Sequence, residues 1–179
     1  MPTKEADLGL VLKAVHFATW KHRDQKRKDA KASPYINHPV ALAMLLWTEG
    51  GVRDATVIAS ALLHDTLEDT ETSPVELKGA FGAQIAAIVE EVTDVKWLAR
   101  TSRKRLQVAR AGRSSLRAKQ VKLADKICNL RDILASPPKG WSLERKREYF
   151  DWAKSVVDQL RGANPRLERS FDRLYRQRP

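Results

Sequence analysis

Apolar residues recur every three to four positions along most of the chain, and this spacing predicts amphipathic α-helices. The first predicted helix runs from about Lys4 to Lys21, and its apolar positions at helical spacing are Leu8, Leu12, Val15 and Ala18. No segment alternates apolar and polar residues for long enough to predict a β-strand. The pattern therefore favours an all-α protein.

Two further helices are bounded by residues that commonly start or stop helices. The second predicted helix runs from about Pro39 to Glu49 and ends at Gly50 and Gly51. The third runs from Ala55 to about Leu67, after Asp54, whose side chain can cap its first turn. Because the body of this third helix is apolar on nearly every side, we expect it to lie in the middle of a helical bundle.

Capping residues also mark the helices predicted in the second half of the chain. Ser73 to Glu76 combine a capping box with proline at the first helical position, and Gly79 and Gly82 limit the short helix that follows. The other predicted helices are about Ala83 to Thr93, Ser115 to Ala135, Ser142 to Leu160, and a last helix opened by Asn164 and Pro165 with Leu167, Phe171 and Leu174 facing inward. Residues 95–122 are predicted as part loop and part helix. With no linker or repeat, the prediction is a single domain, residues 1–179, of about eight to ten helices.

Composition supports a globular protein of one domain. A chain of 179 residues with 42% hydrophobic residues can bury a substantial core. Its one cysteine, Cys128, excludes a disulfide framework within the chain and favours a reducing compartment. No apolar run approaches the roughly 18 residues of a membrane span, and the first residues are polar. We therefore expect a cytoplasmic protein without membrane attachment.

The positive charge is concentrated in one segment. The formal net charge is +11, and residues 95–122 contain ten basic residues and no acidic one. They are Lys96, Arg100, Arg103, Lys104, Arg105, Arg110, Arg113, Arg117, Lys119 and Lys122. Three interpretations stay open at this point: a footprint for nucleic acid, a clamp for a small polyphosphate, or a solvated surface.

Histidines and acids suggest a metal site around the end of the third helix. His64 and Asp65 follow the most apolar helix, and burying an imidazole beside a carboxylate is costly unless the two are paired or bind a cation. Glu68 and Asp69 lie three and four positions after Asp65, so three like charges share one side of the helix end. A divalent metal would relieve this repulsion, whereas an exposed acidic turn is the alternative.

The remaining candidate ligands are less well specified by their surroundings. His38 precedes Pro39 at a helix start, where its side chain either points into a cleft or is an ordinary polar terminus. Asp125 lies nearly opposite the main apolar face of its helix, with Asn129 one turn later on the same side. Periodicity leaves Asp125 either in solvent or in a cleft. The other histidines, His16 and His22, have no comparable neighbours.

Taken in order, His38, His64 with Asp65, and Asp125 reproduce the H...HD...D signature of the HD-domain metal-dependent phosphohydrolases. The segments Tyr35–Pro39, Leu62–Thr70 and Val121–Arg131 more specifically resemble the RelA/SpoT-type (p)ppGpp hydrolases, and Glu68 with Asp69 is the distinguishing mark. The resemblance covers nearly the whole chain and is greatest to the small stand-alone alarmone hydrolases, with no room for the synthetase of multidomain relatives. One departure is Ala32–Tyr35, where many relatives have Gly-Glu-Pro-Tyr or Gly-Thr-Pro-Tyr.

The resemblance implies an HD-domain helical bundle and a metal-dependent hydrolase. The implied metal ligands are His38, His64, Asp65 and Asp125, with manganese as the expected ion. Two imidazoles and two carboxylates suit such a six-coordinate first-row ion. Glu68 and Asp69 resemble the pair that positions or deprotonates the attacking water, without a further division of roles. The implied reaction releases pyrophosphate from the ribose 3′ position and converts ppGpp to GDP and pppGpp to GTP.

Substrate contacts are also implied by the resemblance. They are Arg27 and Lys28 near the guanine, Asn129 near the ribose, Arg145 and Tyr149 as a wall of the pocket, and Arg100 reaching the 5′ phosphates. The alternatives are an HD phosphohydrolase of another nucleotide such as NADPH, and a non-enzymatic cationic module that binds nucleic acid through residues 95–122. Glu68 and Asp69 favour the alarmone substrate, so neither membrane nor nucleic acid is an expected partner. The oligomeric state is left open.

Overall fold

The computed structural model describes residues 4–179, and within this range the chain forms nine α-helices and no β-strand. Their bounds are α1 Lys4–Lys21, α2 Asn37–Thr48, α3 Ala55–Leu63, α4 Thr66–Asp69, α5 Pro74–Val92, α6 Arg100–Ala111, α7 Leu116–Ala135, α8 Leu143–Asp158 and α9 Pro165–Tyr175. The predicted all-α fold of eight to ten helices is confirmed. None of the helices described is both long enough and apolar enough to cross a membrane.

Side-chain caps fix the starts of five helices. Asp54 accepts a hydrogen bond from the backbone N–H of Thr56 at the start of α3. The other capping side chains that accept a backbone N–H in this way are Ser73 for α5, Ser115 for α7, Ser142 for α8 and Asn164 for α9. These bonds satisfy backbone donors that have no partner within a helix, so the short polar residues in the sequence correctly indicate these boundaries.

The two helices predicted on either side of Gly82 are confirmed as the two arms of α5. The helix is interrupted at Gly82, whose φ of 82° lies in the left-handed region. Glycine adopts this conformation without the steric cost that a Cβ imposes. Gly79, by contrast, continues the first arm.

The third predicted helix is shorter than expected, because α3 ends at Leu63 and not near Leu67. Asp65 leaves the helix with φ −98° and ψ −1°, and α4 begins at Thr66. The Thr66 hydroxyl donates to the carbonyl of Leu63 at 2.7 Å and so satisfies a group that the helix break frees. The break places His64 and Asp65 at a junction between two helices.

Helix α3 lies in the middle of the bundle, as its composition predicts. It packs against α1, α2, α5 and α7, and every residue from Val57 to Leu63 is buried. On α1 the predicted apolar face is partly wrong, because Leu8 and Leu12 are both 59% exposed. The fully buried positions of α1 are Ala14 and Ala18, whose small side chains let α1 approach α3 closely.

Candidate metal centre and cleft

The four predicted metal ligands meet at the centre of the bundle. His38 lies in the first turn of α2, His64 and Asp65 at the junction of α3 and α4, and Asp125 in the middle of α7. His38 Nε2 is 3.2 Å and His64 Nε2 is 3.9 Å from Asp125 Oδ1, and His64 Nε2 is 3.0 Å from Asp65 Oδ2. The structure thus brings together side chains that are up to 87 positions apart.

The ring of His64 is oriented as a metal ligand requires. His64 Nδ1 donates to the carbonyl of Ala61 at 2.8 Å, so Nε2 is the nitrogen that faces the acids and can bind a metal once it has lost its proton. His64 Nε2 and His38 Nδ1 are buried and have no hydrogen-bond partner among the described residues. Ligand atoms of His38, His64 and Asp65 lie within 4.8 Å of one another. Unpartnered ring nitrogens beside carboxylates fit a divalent first-row ion.

Charges in this centre are strongly coupled. Burial alone would lower the pKa of His64, but Asp65 and Asp125 outweigh it and raise that pKa to about 9. Burial would likewise raise the pKa of Asp65, but the His64 and His38 rings hold it well below its ordinary value. A divalent ion that binds these atoms therefore displaces a proton from His64.

Asp125 faces the buried centre, which resolves the alternatives that periodicity leaves open. Its Oδ1 accepts a hydrogen bond from Asn129 Nδ2 at 2.6 Å, and its Oδ2 accepts one from Lys126 Nζ at 3.0 Å. Burial opposes the charged carboxylate, but the Lys126 ammonium and the His38 ring hold the pKa of Asp125 well below its ordinary value. Asp125 is thus an ionised oxygen ligand candidate, and Lys126 compensates its charge.

Tyr35 is a site residue to which sequence reasoning gave no role. Its hydroxyl donates to Asp65 Oδ2 at 2.5 Å and reaches Asp69 Oδ2 at 3.2 Å. Burial and the neighbouring Asp65 carboxylate raise the pKa of Tyr35, so the phenol stays a hydrogen-bond donor. The one sequence signal was its place in the segment that carries His38.

Glu68 and Asp69 lie in different environments at the end of α4. Burial raises the pKa of Glu68 to about 7; the hydrogen bond from the Asp94 N–H at 3.1 Å opposes this shift, whereas the charge of Asp94 adds to it. Asp69 accepts hydrogen bonds from Lys96 Nζ at 2.6 Å and from Tyr35. Glu68 can therefore gain or lose a proton near neutral pH, whereas Asp69 is held in place by two donors.

A cleft of about 680 Å³ opens beside this centre, and His38 and Asp69 are among its lining residues. Of the six predicted substrate contacts, four line it: Arg27, Lys28, Asn129 and Tyr149. The other two do not. Arg100 is an exposed residue at the start of α6, and Arg145 lies behind Trp141, with its guanidinium 4.5 Å from the centre of that ring.

The first loop of the cleft has contacts that the sequence did not reveal. The Arg27 guanidinium donates to the carboxylate of Asp132 and lies 5.6 Å from the centre of the Tyr35 ring. His22, which the sequence analysis passed over, is buried and stacks on Tyr35 at 4.9 Å. Its Nδ1 donates to Gln25 Oε1 at 2.7 Å, and the Gln25 amide donates to the carbonyl of Asp69. His22 therefore supports residues that contact the centre.

Ala32, at which the sequence departs from the family motif, has a strained backbone conformation, but the turn still forms. Ala32 has a φ of 49°, in the left-handed region that glycine adopts more readily than alanine. Asp29 nevertheless holds the turn by accepting hydrogen bonds from the Ser33 N–H at 2.9 Å and from its hydroxyl at 2.6 Å. The loop therefore keeps a glycine-like turn despite the alanine.

Ala32→Gly is expected to stabilise the protein by about 1 kcal/mol, because glycine relieves the left-handed strain of alanine and gives back only part of that gain in the unfolded chain. Urea denaturation of both proteins measures the difference. Ala30→Gly, two residues earlier at an exposed position without positive φ, serves as the control and should not stabilise. A loss of stability in Ala32→Gly would show that the turn carries no strain.

Comparisons with known proteins agree with this architecture. Residues 14–151 match the HD domain family. Human guanosine-3′,5′-bis(diphosphate) 3′-pyrophosphohydrolase MESH1 is 52% identical over 168 residues, which cover 94% of each chain. The Drosophila melanogaster protein of the same name is 46% identical over 167 residues and 93% of each chain.

A solved structure extends the likeness to three dimensions. It is described as "A metazoan ortholog of SpoT hydrolyzes ppGpp and plays a role in starvation responses". It superposes with a TM-score of 0.92 at 44% identity and covers 99% of this chain and 97% of its own. The resemblance that the motifs indicated is confirmed. The chain belongs to the HD domain family, among its RelA/SpoT-type hydrolases.

Proposed function

We propose that this protein hydrolyses ppGpp and pppGpp at the ribose 3′ position and releases pyrophosphate, with manganese as its metal. The observation that carries the proposal is the centre in which ligand atoms of His38, His64 and Asp65 lie within 4.8 Å of one another. Asp125 Oδ1 lies 3.2 Å from His38 Nε2, and His38 also lines a cleft of about 680 Å³. The activity for which the human and fly relatives are named supports the choice of substrate.

The four ligand candidates would hold one divalent ion, and a bound ion lowers the pKa of its water and offsets charge on a phosphoryl oxygen. Tyr35 fixes Asp65 through its hydroxyl, and Ala61 fixes the ring of His64. These contacts hold the ligand atoms in one arrangement before the ion binds, which reduces the cost of ordering them.

Glu68 is the residue best suited to hold a proton during the reaction. A carboxylate with a pKa near 7 accepts a proton from water and returns it at neutral pH. Water attacks the phosphorus that is bonded to the ribose 3′ oxygen. The bond between this phosphorus and the 3′ oxygen breaks, and the 3′ oxygen takes up a proton. Asp69, held by Lys96 and Tyr35, positions the water.

The cleft provides the nucleotide contacts. Arg27 and Lys28 place two positive charges at its rim, and a guanidinium can stack on a base while donating hydrogen bonds. Asn129 and Tyr149 line the side nearer Asp125. A nucleotide bound here with its base toward Arg27 would place its ribose between the cleft and the metal centre.

The basic segment supports an enzyme more than a nucleic-acid binding module. Several of its cations contact acids of the protein itself: Lys96 lies 2.6 Å from Asp69, and Arg117 Nε lies 2.7 Å from Asp54. A footprint for a phosphate backbone needs cations that are free to release counterions, and these are engaged.

The test is a substrate panel with purified protein and Mn²⁺. Incubation with ppGpp should yield GDP and pyrophosphate in equal amounts, and chelation of the metal should stop the reaction. If NADPH is consumed while ppGpp survives, the protein is a phosphohydrolase of a different nucleotide. Tight, salt-sensitive binding of RNA without turnover of either nucleotide would support the cationic module.

Arg27→Ala is expected to raise the KM for ppGpp about tenfold with little change in kcat, because Arg27 contacts the nucleotide away from the reacting bond. Steady-state kinetics separates the two constants. Arg23→Ala is the matched control, since Arg23 stacks on the exposed Trp20 outside the cleft. A fall in kcat without a change in KM would place Arg27 at the chemistry and contradict its assignment to the base.

A further inference from the structure

A second group of cations lies on α6 and α7 and does not line the cleft. We call Arg103, Lys104 and Lys122 the cation cluster. Lys104 Nζ lies 5.0 Å from the centre of the Trp152 ring and 5.9 Å from that of Tyr149. None of the three lines the cleft, but Tyr149 does, so this residue separates the cleft from the cation cluster.

Lys122 is the most unusual member of the cluster because it is buried without a partner. It is 7% exposed, and within residues 4–179 its ammonium has neither a hydrogen bond nor an acid within 4 Å. The Nε of Arg103 is also buried without an acceptor in the part of the chain described. Burying charged donors in this way is costly unless an anion completes the site.

Asp94, Asp125 and Glu68 attract Lys122 only from more than 4 Å away, and each of them also contacts other groups; Glu68 accepts a hydrogen bond from the Asp94 N–H at 3.1 Å. Asp125 accepts hydrogen bonds from Lys126 and Asn129, and Asp94 accepts one from Gln107. Burial and the neighbouring Lys126 lower the pKa of Lys122 to about 8 against the attraction of these acids, so the amine is still charged at neutral pH.

The same crowding extends to Lys104. Burial and Arg100 lower the pKa of Lys104; Glu148 opposes this shift, and Lys126 and Arg145 add to it. Positive charge is therefore in excess on this side of the centre. Each cation that lowers the pKa of its neighbours here also strengthens the attraction for an incoming anion.

We propose that Lys122, together with Arg103, binds the pyrophosphate that leaves the ribose 3′ position. The inference rests on the proposed function and assigns the released pyrophosphate to a site separate from the cleft. The position supports it: Arg103 Nη1 is 4.0 Å from Glu68, so the cluster adjoins the reacting bond. The cations predicted for the guanine, Arg27 and Lys28, line the cleft, whereas Arg103 and Lys122 do not.

A diphosphate supplies the anionic hydrogen-bond acceptors that Lys122 and Arg103 lack. Its several charged oxygens accept hydrogen bonds from more than one cationic donor at once, and such charge-assisted bonds are stronger than neutral ones. The rival anion is the 5′ diphosphate of the nucleotide. Inorganic pyrophosphate and GDP distinguish the two, because GDP carries a 5′ diphosphate and no 3′ group.

The experiment is calorimetric titration of the metal-loaded protein with pyrophosphate and, separately, with GDP at a fixed concentration of free Mn²⁺. In Lys122→Met the Kd for pyrophosphate should rise at least about tenfold, and the Kd for GDP should stay within about twofold. Lys119→Met is the matched control, a half-buried lysine one turn away on α7, and should bind both like the unaltered protein.

Unchanged pyrophosphate binding in Lys122→Met would overturn the inference, and so would weaker binding of GDP alone. Lys122→Gln repeats the test if the methionine variant does not fold. Failure of the proposed function looks different: the unaltered protein would then leave ppGpp intact while still binding pyrophosphate through Lys122. Conversely, turnover of ppGpp with pyrophosphate binding that ignores Lys122 would remove this inference alone.

Discussion

Asp65→Ala is expected to remove the bound metal and the hydrolysis together. Asp65 supplies a carboxylate beside His64 Nε2, and alanine leaves the ion with fewer anionic ligands in a buried site. Turnover should fall by more than about 100-fold, since changes only in the residues that support metal ligands already cost up to that factor. Elemental analysis and pyrophosphate release, measured on the same preparation, check both parts.

Two further variants separate loss of the ligand from damage to the fold. Asp65→Asn keeps an acceptor for the Tyr35 hydroxyl and should lose metal with a smaller effect on folding. Asp158→Ala removes an acid from a surface pair with Lys154 and should keep metal and activity. Full activity of Asp65→Ala with stoichiometric metal would refute the proposed ligand set.

Glu68→Gln is expected to slow hydrolysis by about 10²- to 10⁴-fold while metal stays bound, because glutamine cannot take a proton from water. The same change should stabilise the fold. Glutamine still accepts the hydrogen bond from the Asp94 N–H, and it removes a carboxylate that burial makes costly to ionise. Kinetics, metal analysis and urea denaturation measure the three effects.

The sign of the stability change depends on pH. The pKa of Glu68 is about 7 in the folded protein against an ordinary 4.5, so the folded state binds more protons between these values and loses stability as the pH rises. The loss of stability from ionising Glu68 is fully present above pH 7, where it amounts to about 3 kcal/mol, and it is absent below about pH 4.5.

Glu68→Gln should therefore be more stable than the unaltered protein at pH 8 and equally stable at pH 4. Glu90→Gln, at an exposed position on α5, provides the control and should change neither stability nor rate. If Glu68→Gln instead lost its metal, Glu68 would belong to the ligand set and not to proton transfer.

Most helix boundaries could be predicted from the sequence because they depend on local chemistry. Asp54, Ser73 and Asn164 cap their helices through contacts that span two or three residues. The end of α3 could not be predicted in this way. Its apolar pattern continues to Leu67, whereas the break at Asp65 is stabilised by the Thr66 hydroxyl and by tertiary contacts of Asp65 with Tyr35 and of His64 with Asp125.

The candidate site, too, could be predicted only in part. The motif resemblance brought His38, His64, Asp65 and Asp125 into one set, and the structure places them together. Their supporting residues were missed, since His22 and Tyr35 act through stacking and hydrogen bonds that periodicity does not encode. Similarly, nothing in the sequence of the ten basic residues distinguishes Lys122, which is buried, from the other nine, which are half-buried or exposed.

The break between α3 and α4 also has a thermodynamic consequence. Held by the proposed ligands from α2, this junction and α7, a bound ion would close two long loops of the chain, as a covalent cross-link does. An ion at 100 times its Kd adds about 2.7 kcal/mol to the free energy of unfolding. Melting curves recorded across a series of divalent ions therefore rank their affinities for this protein without any nucleotide.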